Sequence, residues 1–423
     1  MLRFAQHDIN AFARMAFRLT IPSSLPYSAV TMIRAGAGQS SRTLTKDAVA
    51  EAGAQALAEA GISRADTAVA FFTAEHAGRS NELAESLSAA TGAEKITGCS
   101  AAGVLTAAGE VEGSHGVAVL VYQSDQIHSQ PFLFQPLRER DEIAGDEIAR
   151  QTGRSAAEDR LLVLLPDTYN GEPQRLLGSI ESHAGFLPVI GAGASENGMA
   201  RTTYQLCGRT VTTNAVAGMG LAGAFQTHID ITQGCQPITE PMKITKAEGN
   251  LIYQIDHRPA LEVFARLLKG PLAEDLRRAL MVLFVGLPAD KSQNSVAPGQ
   301  YVIRNIVGLD PDKGILGVAD EVHEGQALIF ALRDGQRTRD DLNQMLQRQA
   351  ERLAGEKPAF GFYFNCCARG ASLYGMEGID TAYIRQILGD FPLIGMFGGY
   401  ELAPLGRSNH LFAYTGVLAL ITS

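Results

Sequence analysis

The chain has no tryptophan and only five cysteines among its 423 residues. Cys99, Cys207, Cys235, Cys366 and Cys367 are odd in number and include no C-x-x-C pair. That excludes a framework of paired disulfides and a structural zinc site built from local cysteine pairs, and it points to a reducing, cytoplasmic setting. Long apolar runs are missing as well, none reaching the roughly 18 residues of a membrane-spanning helix. Nor is there an excess of positive charge: 36 Lys+Arg stand against 45 Asp+Glu, a net charge of −9. Nothing therefore draws the chain to phosphate backbones or anionic lipid, so neither nucleic acid nor membrane is an expected partner. Residues 1–31 lack the charged n-region and apolar h-region of a signal peptide, because Arg14 and Arg18 interrupt Phe12, Met15 and Phe17. They read as an N-terminal extension ahead of a regular pattern that begins at Met32.

What is present is a globular composition, 46% hydrophobic and 19% charged, with length for two or three domains at about 150 residues each. One order of elements occurs three times: strand, polar loop, helix, short strand, glycine turn, long strand. The first copy has a strand over 68–72, the loop Thr73-Ala74-Glu75-His76, a helix over 81–90 capped by Ser80, the turn Gly98-Cys99-Ser100-Ala101-Ala102-Gly103 and a strand over 117–122. Ahead of it, a helix capped by Thr45 ends at Gly61. In the second copy these elements fall at 161–165, 166–170, 172–183, 191–197 and 215–223, with Pro173 suited to a first helical turn. The third runs from 359–364 through Asn365-Cys366-Cys367-Ala368-Arg369-Gly370, a helix over 377–388 and the turn around Gly395 to the final strand over 410–422. Repetition of this kind marks a recurring β-α-β-β module.

Between the second and third copies the texture changes. Strands are expected over 251–255, 280–285, 301–306, 315–318 and 327–331, with a helix over 259–268 and another over 339–353 capped by Thr338, Asp341 standing third. The expected architecture is α/β (α+β): two domains, 32–225 and 226–423, of repeated β-α-β-β units in mixed, largely antiparallel sheets covered by helices.

These residues also carry a resemblance. Cys366-Cys367-Ala368-Arg369-Gly370, the turn around Gly395 with Glu401 and Pro404, and residues 410–420 resemble the C-terminal domain of FIST proteins. Tyr301 to Asp310 and Gln233-Gly234-Cys235 are similar to further segments of that family, and Gly98 to Gly103 resembles the turn of the N-terminal FIST domain. Tyr400 departs from the pattern, since the family often has glycine before the glutamate. The resemblance implies a sensory module of bacterial signal transduction that binds a small ligand such as an amino acid and signals through a separate protein. Stand-alone members of NosP-like type imply a further possibility: non-covalent haem b sensing nitric oxide, with a histidine kinase or a diguanylate cyclase or phosphodiesterase as partner.

If the modules are equivalent, their loops and glycine turns gather at common edges. The candidate ligand-binding residues are Asp167, Asn170, Cys366 and Arg369 from the loops and Ser100, Ser195, Glu196 and Glu401 from the turns. Arg369 can hold a carboxylate in a planar fork and Glu401 an ammonium, which together suit a zwitterion. The plainer alternative is that the two pair with each other or fix loops to their sheets. His76 and His410 are the candidate haem ligands, with no C-x-x-C-H attachment motif beside them. A second function class, a hydrolase or transferase with a cysteine or serine nucleophile in a glycine turn, requires a base beside Ser100 or a cysteine, and the G-x-S-x-G spacing is absent. No catalytic residue is assigned.

Overall fold

Three apolar runs set the architecture. Thr67–Thr73, Asp159–Pro166 and Phe360–Cys366 are strands whose continuous hydrophobicity suits burial on both faces. Each pairs in parallel with a shorter strand: Lys95–Ala101, Val189–Ala192 and Leu393–Gly398 respectively. On its other side each pairs antiparallel with Val117–Gln123, Val216–Gly223 or Thr415–Thr422. The crossover inside each parallel pair includes a helix: Ser80–Thr91, Pro173–Ala184 and Ile379–Leu388. This computed structural model describes residues 33–152, 159–289, 295–296 and 299–423. The expected extension over 1–31 lies outside them.

The three parallel pairs share one register. Gly98 lies opposite Ala70, Gly191 opposite Leu164 and Gly395 opposite Tyr363. A Cβ at these glycines would sit 1.9, 1.9 and 2.0 Å from the partner's carbonyl oxygen, closer than any side chain tolerates. Across the next pairing each glycine faces a leucine, Leu206, Leu402 and Leu105 in turn, all fully buried.

Those leucines come from hairpins exchanged in a cycle. The hairpin Gly103–Thr106 and Gly109–Glu112, which follows the first module's short strand, pairs with the third module's sheet. Gln205–Cys207 and Thr210–Thr212 of the second module join the first, while Glu401–Leu405 and Ser408–Phe412 of the third join the second. Each of the three sheets has six strands, its far edge formed by Arg34–Ser40, Ile127–Phe134 or Gln226–Gln233. Two of them mix strands from both sides of residue 225, and Met32–Ser423 packs as one compact unit.

The texture change corresponds to a fourth, antiparallel sheet inserted in the third module. Ala327–Arg333 pairs with Met242–Glu248 and also with Leu283–Pro288, so the sheet closes through Leu251–Ile255, Ile315–Val318 and Tyr301–Asp310. Ile244, Ile252, Leu316, Phe264 and Phe330 fill its apolar interior. The fold class is α+β, as the alternation of elements predicts.

Local chemistry differs from expectation at several ends. Gly98, Cys99, Ser100 and Ala101 continue a strand rather than turn, and Asn365 and Cys366 end one. Thr45 starts the helix Thr45–Ala60 without capping it, because its hydroxyl bonds His76 Nδ1 at 3.0 Å. The helix Ser80–Thr91 has Arg79 at its N-cap. The helix Gly335–Leu353 is capped by Asp334, which accepts from Arg337 N–H. Thr338 lies inside that helix and donates to the Asp334 and Gly234 carbonyls. Asp341 instead accepts from Thr232 Oγ1 and Gln233 N–H at 2.8 and 2.7 Å.

The repeated glycine makes a sharp test. Gly191→Ala should lose at least about 1–3 kcal/mol by overpacking against the Leu164 carbonyl. Gly178→Ala, in a helix with nothing within 4 Å of its added methyl, should gain about 0.5–1 kcal/mol. Urea unfolding of both variants distinguishes the two signs.

Candidate functional site

The C-terminal ends of the three parallel pairs meet, and the two predicted serines lace them. Ser100 Oγ donates to the Ser195 carbonyl and accepts from Tyr204 N–H, both at 3.0 Å. Ser195 Oγ donates to the Phe397 carbonyl and accepts from Ala102 N–H. Gly193 N–H reaches the Tyr400 carbonyl, and Gly399 N–H returns to Gly193 at 3.0 Å. Both hydroxyls are thus buried and bonded to backbone from other modules, a structural use that leaves neither beside a histidine.

Asp167 and Asn170 brace their own loop. Asp167 accepts from Tyr169 N–H, Asn214 N–H and Asn170 Nδ2 at 2.8, 2.8 and 3.0 Å, and Asn170 Oδ1 accepts from Arg138 Nε. Glu196 accepts from the Tyr169 hydroxyl at 2.6 Å and from Met199 and Ala200 N–H. These bonds hold its carboxyl below the usual range despite partial burial. Asn197 Nδ2 approaches Glu75 at 3.4 Å, so first-module and second-module loops touch there.

At one common offset beyond the glycine-facing residues Ala70, Leu164 and Tyr363 stand His76, Asn170 and Arg369. Arg369 is wholly buried. Its Nη2 alone carries the protein contacts: Tyr374 Oη at 3.0 Å, and Asp380 Oδ1 and Oδ2 at 3.3 and 3.2 Å. Asp380 also accepts from the Tyr374 and Tyr363 hydroxyls and from Asn365 Nδ2. Among the described residues Arg369 Nε and Nη1 have no hydrogen-bond partner. Glu401, equally buried, accepts from Thr415 N–H and Oγ1 at 3.2 and 2.7 Å through Oε2, while Oε1 has no partner among the described residues. Burial first, then the neighbouring Cys366 thiol, pushes the Glu401 carboxyl well above its ordinary range, and Arg369 opposes that. Arg369 is thus tied to helix Ile379–Leu388 through Asp380, and Glu401 to the start of strand Thr415–Thr422 through Thr415. Each nevertheless keeps unused bonding capacity in one buried polar region.

Four important side chains escaped the sequence reading: Asp380, Tyr374, Glu110 and Glu112. The last two arrive on the exchanged hairpin. Glu110 accepts from Gly378 and Thr381 N–H at the start of Ile379–Leu388, and Glu112 accepts from Ala371 N–H at 2.9 Å. Such carboxylates suit a helix start. The alternation Gly109-Glu110-Val111-Glu112 signals a strand, but nothing local tells which helix those carboxylates reach.

The candidate haem ligands occupy different settings. His76 is fully buried, with Nδ1 on Thr45, Nε2 unpartnered, and its ring edge-on to His115 at 5.2 Å. Burial, then the His115 charge, lowers it to about 4, so the imidazole is neutral and enclosed. His410 lines a cavity of about 200 Å³ that it shares with Glu181, Arg304 and Asp320. That is below the roughly 300 Å³ at which ligand pockets begin. Neither setting offers the apolar slot that a haem plane occupies, and the residues present do not fit the group. A cleft of about 1180 Å³ lies elsewhere, beside Gln236, Tyr301, Arg337 and Arg348, and none of the predicted residues lines it.

Two stability predictions follow from these contacts. Asp380→Ala leaves the Arg369 charge buried and unpaired, and should cost about 3–5 kcal/mol in urea unfolding. The second concerns pH. Burial, with the Asp380 charge next, pushes Glu110 up to about 7; its folded pKa is raised, so its contribution is full below the unfolded value and is lost as pH rises through about 7. For His76 the folded pKa is depressed, so stability is lost as pH falls from the unfolded value through about 4. The slopes oppose each other. Glu110→Gln removes one falling slope, so the variant's stability relative to wild type should rise by roughly 3 kcal/mol between about pH 4.5 and about pH 7.

An uncharacterised protein of Mycobacterium tuberculosis is 28% identical over 388 residues, which is 92% of this chain and 99% of that protein. One of Mycobacterium bovis is 26% identical, covering 92% and 98%. Among solved structures, a cyanuric acid hydrolase from A. caulinodans aligns with 45% of this chain and 71% of its own at 12% identity and a TM-score of 0.27, a likeness too slight to carry any argument. The FIST N domain matches residues 66–258 and the FIST C domain residues 260–404, together most of the chain. The chain belongs to the FIST family of small-ligand sensory domains in signalling.

Proposed function

We propose that the ligand of this sensory protein is a small zwitterion of amino-acid type, taken up between Arg369 and Glu401, and that the bound state is passed to a separate signalling enzyme. The observation that supports this is one of unused bonding capacity. Arg369 keeps two nitrogens, carrying three N–H groups, and Glu401 one oxygen without partners among the described residues, in side chains with no solvent access. Unmet polar groups are costly when buried, so a carboxylate on the first and an ammonium on the second remove a penalty rather than merely add a contact. Asp380 already balances the Arg369 charge, so a ligand without net charge leaves that balance intact. Approach of an ammonium also returns the Glu401 carboxyl toward its ionised form.

Both groups are closed to solvent, so the loops that carry them must part to admit the ligand. A ligand bridging the two then stabilises whichever arrangement it holds. Arg369 lies between strand Phe360–Cys366 and helix Ala371–Tyr374, while Glu401 begins the hairpin lent to the second module, so occupancy at this point bears on two sheets. A cytoplasmic histidine kinase or cyclic-di-GMP enzyme is the proposed recipient. Binding rather than hydrolysis is favoured because both serine hydroxyls are spent on backbone groups.

Thermal unfolding of the full chain across a panel of amino acids tests the reading. At least one should raise the unfolding temperature, and Glu401→Gln, which keeps an acceptor for Thr415, should weaken that ligand at least about tenfold. A panel without effect, or equal affinity in the variant, would overturn it. After incubation with haem, the same preparation should show no Soret band that vanishes on replacing His76 or His410.

A further inference from the structure

The pseudo-equivalence of the three modules isolates one feature that belongs to the third alone. At the end of the central strand the first module carries Thr73 and Ala74, the second Asp167 and Thr168, and the third Cys366 and Cys367. Cys366 is buried as the last residue of its strand, whereas Cys367 is exposed. The two side chains are neighbours along the chain, and their interaction holds Cys367 below the ordinary thiol range while Cys366 is held well above it. The exposed residue of the pair thus has the greater thiolate character, and the buried one supplies a protonated neighbour. The backbone around them is a tight turn: Cys367 N–H donates to the Gly398 carbonyl at 2.9 Å, and Arg369 N–H to the Cys366 carbonyl at 2.8 Å.

We propose that Cys366 and Cys367 form a redox-responsive dithiol that a peroxide converts reversibly to a vicinal disulfide, and that the Arg369 loop reports the change. The Cys367 thiolate attacks one peroxide oxygen; the O–O bond breaks, an S–O bond forms, and the released hydroxide takes up a proton and leaves as water. The Cys366 sulfur then attacks the Cys367 sulfur; the S–S bond forms, the S–O bond breaks, and a second water departs with the Cys366 proton. The dithiol is oxidised by two electrons and hydrogen peroxide is reduced to two waters.

Chain geometry makes this bond labile. Adjacent Cα atoms are about 3.8 Å apart across a trans peptide, whereas disulfides generally span about 4.4–6.8 Å. The bridged turn is therefore strained, and strained, accessible disulfides are the ones that cellular thiols reduce readily. The strain falls on the peptide unit whose carbonyl accepts from Arg369 and whose N–H is tied to Gly398. Beyond it, Arg333 Nη2 reaches the Ala368 carbonyl and Glu112 holds Ala371 N–H, so a shift at the sulfurs is felt by the whole loop.

The test uses the full chain, treated briefly with hydrogen peroxide, then alkylated and mapped by mass spectrometry. The expected result is loss of two alkylatable thiols and two hydrogens from the peptide holding Cys366 and Cys367, reversed by dithiothreitol, while Cys99, Cys207 and Cys235 stay alkylatable after unfolding. In Cys366→Ala, Cys367 should be trapped by dimedone as the sulfenic acid; in Cys367→Ala, no thiol should be lost at the same dose. Hydrogen exchange should quicken over residues 367–371 in the oxidised wild type and stay unchanged over 74–78 and 168–171. Retention of both wild-type thiols at a dose that consumes a free cysteine in solution would overturn the proposal. So would loss through intermolecular dimers, or oxidation without any change in exchange over 367–371.

Discussion

The rest of the structure depends on how closely two parallel strands approach at one point in each module. Where Gly98, Gly191 and Gly395 face a carbonyl oxygen, even a methyl group would intrude. The absence of a side chain there lets a third strand, carrying a leucine, close over the same spot. Because that strand belongs to the neighbouring module, the condition for packing inside one unit is also the condition for joining it to the next. Hydrophobic burial supplies the driving force, but register makes three open sheets into one body.

Around that common frame the modules have diverged by charge. At one equivalent position the chain places a neutral buried histidine, an asparagine that braces its loop, and an arginine fully removed from water. The first needs no counter-charge and the second is satisfied by Arg138. The third has Asp380 and Tyr374 on a single nitrogen, with Tyr363 and Asn365 donating to Asp380 behind it, and still leaves two nitrogens unmet among the described residues. Specific chemistry has accumulated on one of three nearly equivalent corners, where Glu401 and the paired thiols also lie.

Much of this was legible in the sequence because the signals involved are local. Helix ends at Gly61, Gly92 and Gly389 and Pro173 in a first turn locate elements to within a residue or two, whereas the apolar run over 280–285 divides between helix Leu276–Val282 and strand Leu283–Pro288, and the expected strand over 410–422 is two, Ser408–Phe412 and Thr415–Thr422. The threefold repetition of those elements was readable too, and it led to Arg369, Glu401 and the serines. What stayed hidden is what depends on distant partners. Ser100 and Ser195 read as pocket residues, because nothing near them in the chain reveals that their hydroxyls lace separate modules. Thr45 and Thr338 have the chemistry of caps but spend their hydroxyls on His76 and on the Gly234 and Asp334 carbonyls, bonds that only tertiary contact creates. Glu110 and Glu112 look like solvent-facing strand residues until the exchanged hairpin delivers them to helix starts more than 250 residues away.

The exchange of hairpins also bears on the order in which the chain acquires its structure. Gly103–Thr106 emerges from the ribosome well before the strand it pairs with, Leu393–Gly398, which follows it by more than 280 residues. The hairpin that covers Val189–Ala192 comes later still. Until those later strands emerge, two sheets expose apolar edges whose partners do not yet exist, the condition in which strands pair with the wrong neighbour. Closure of the three sheets is therefore a late event of high contact order.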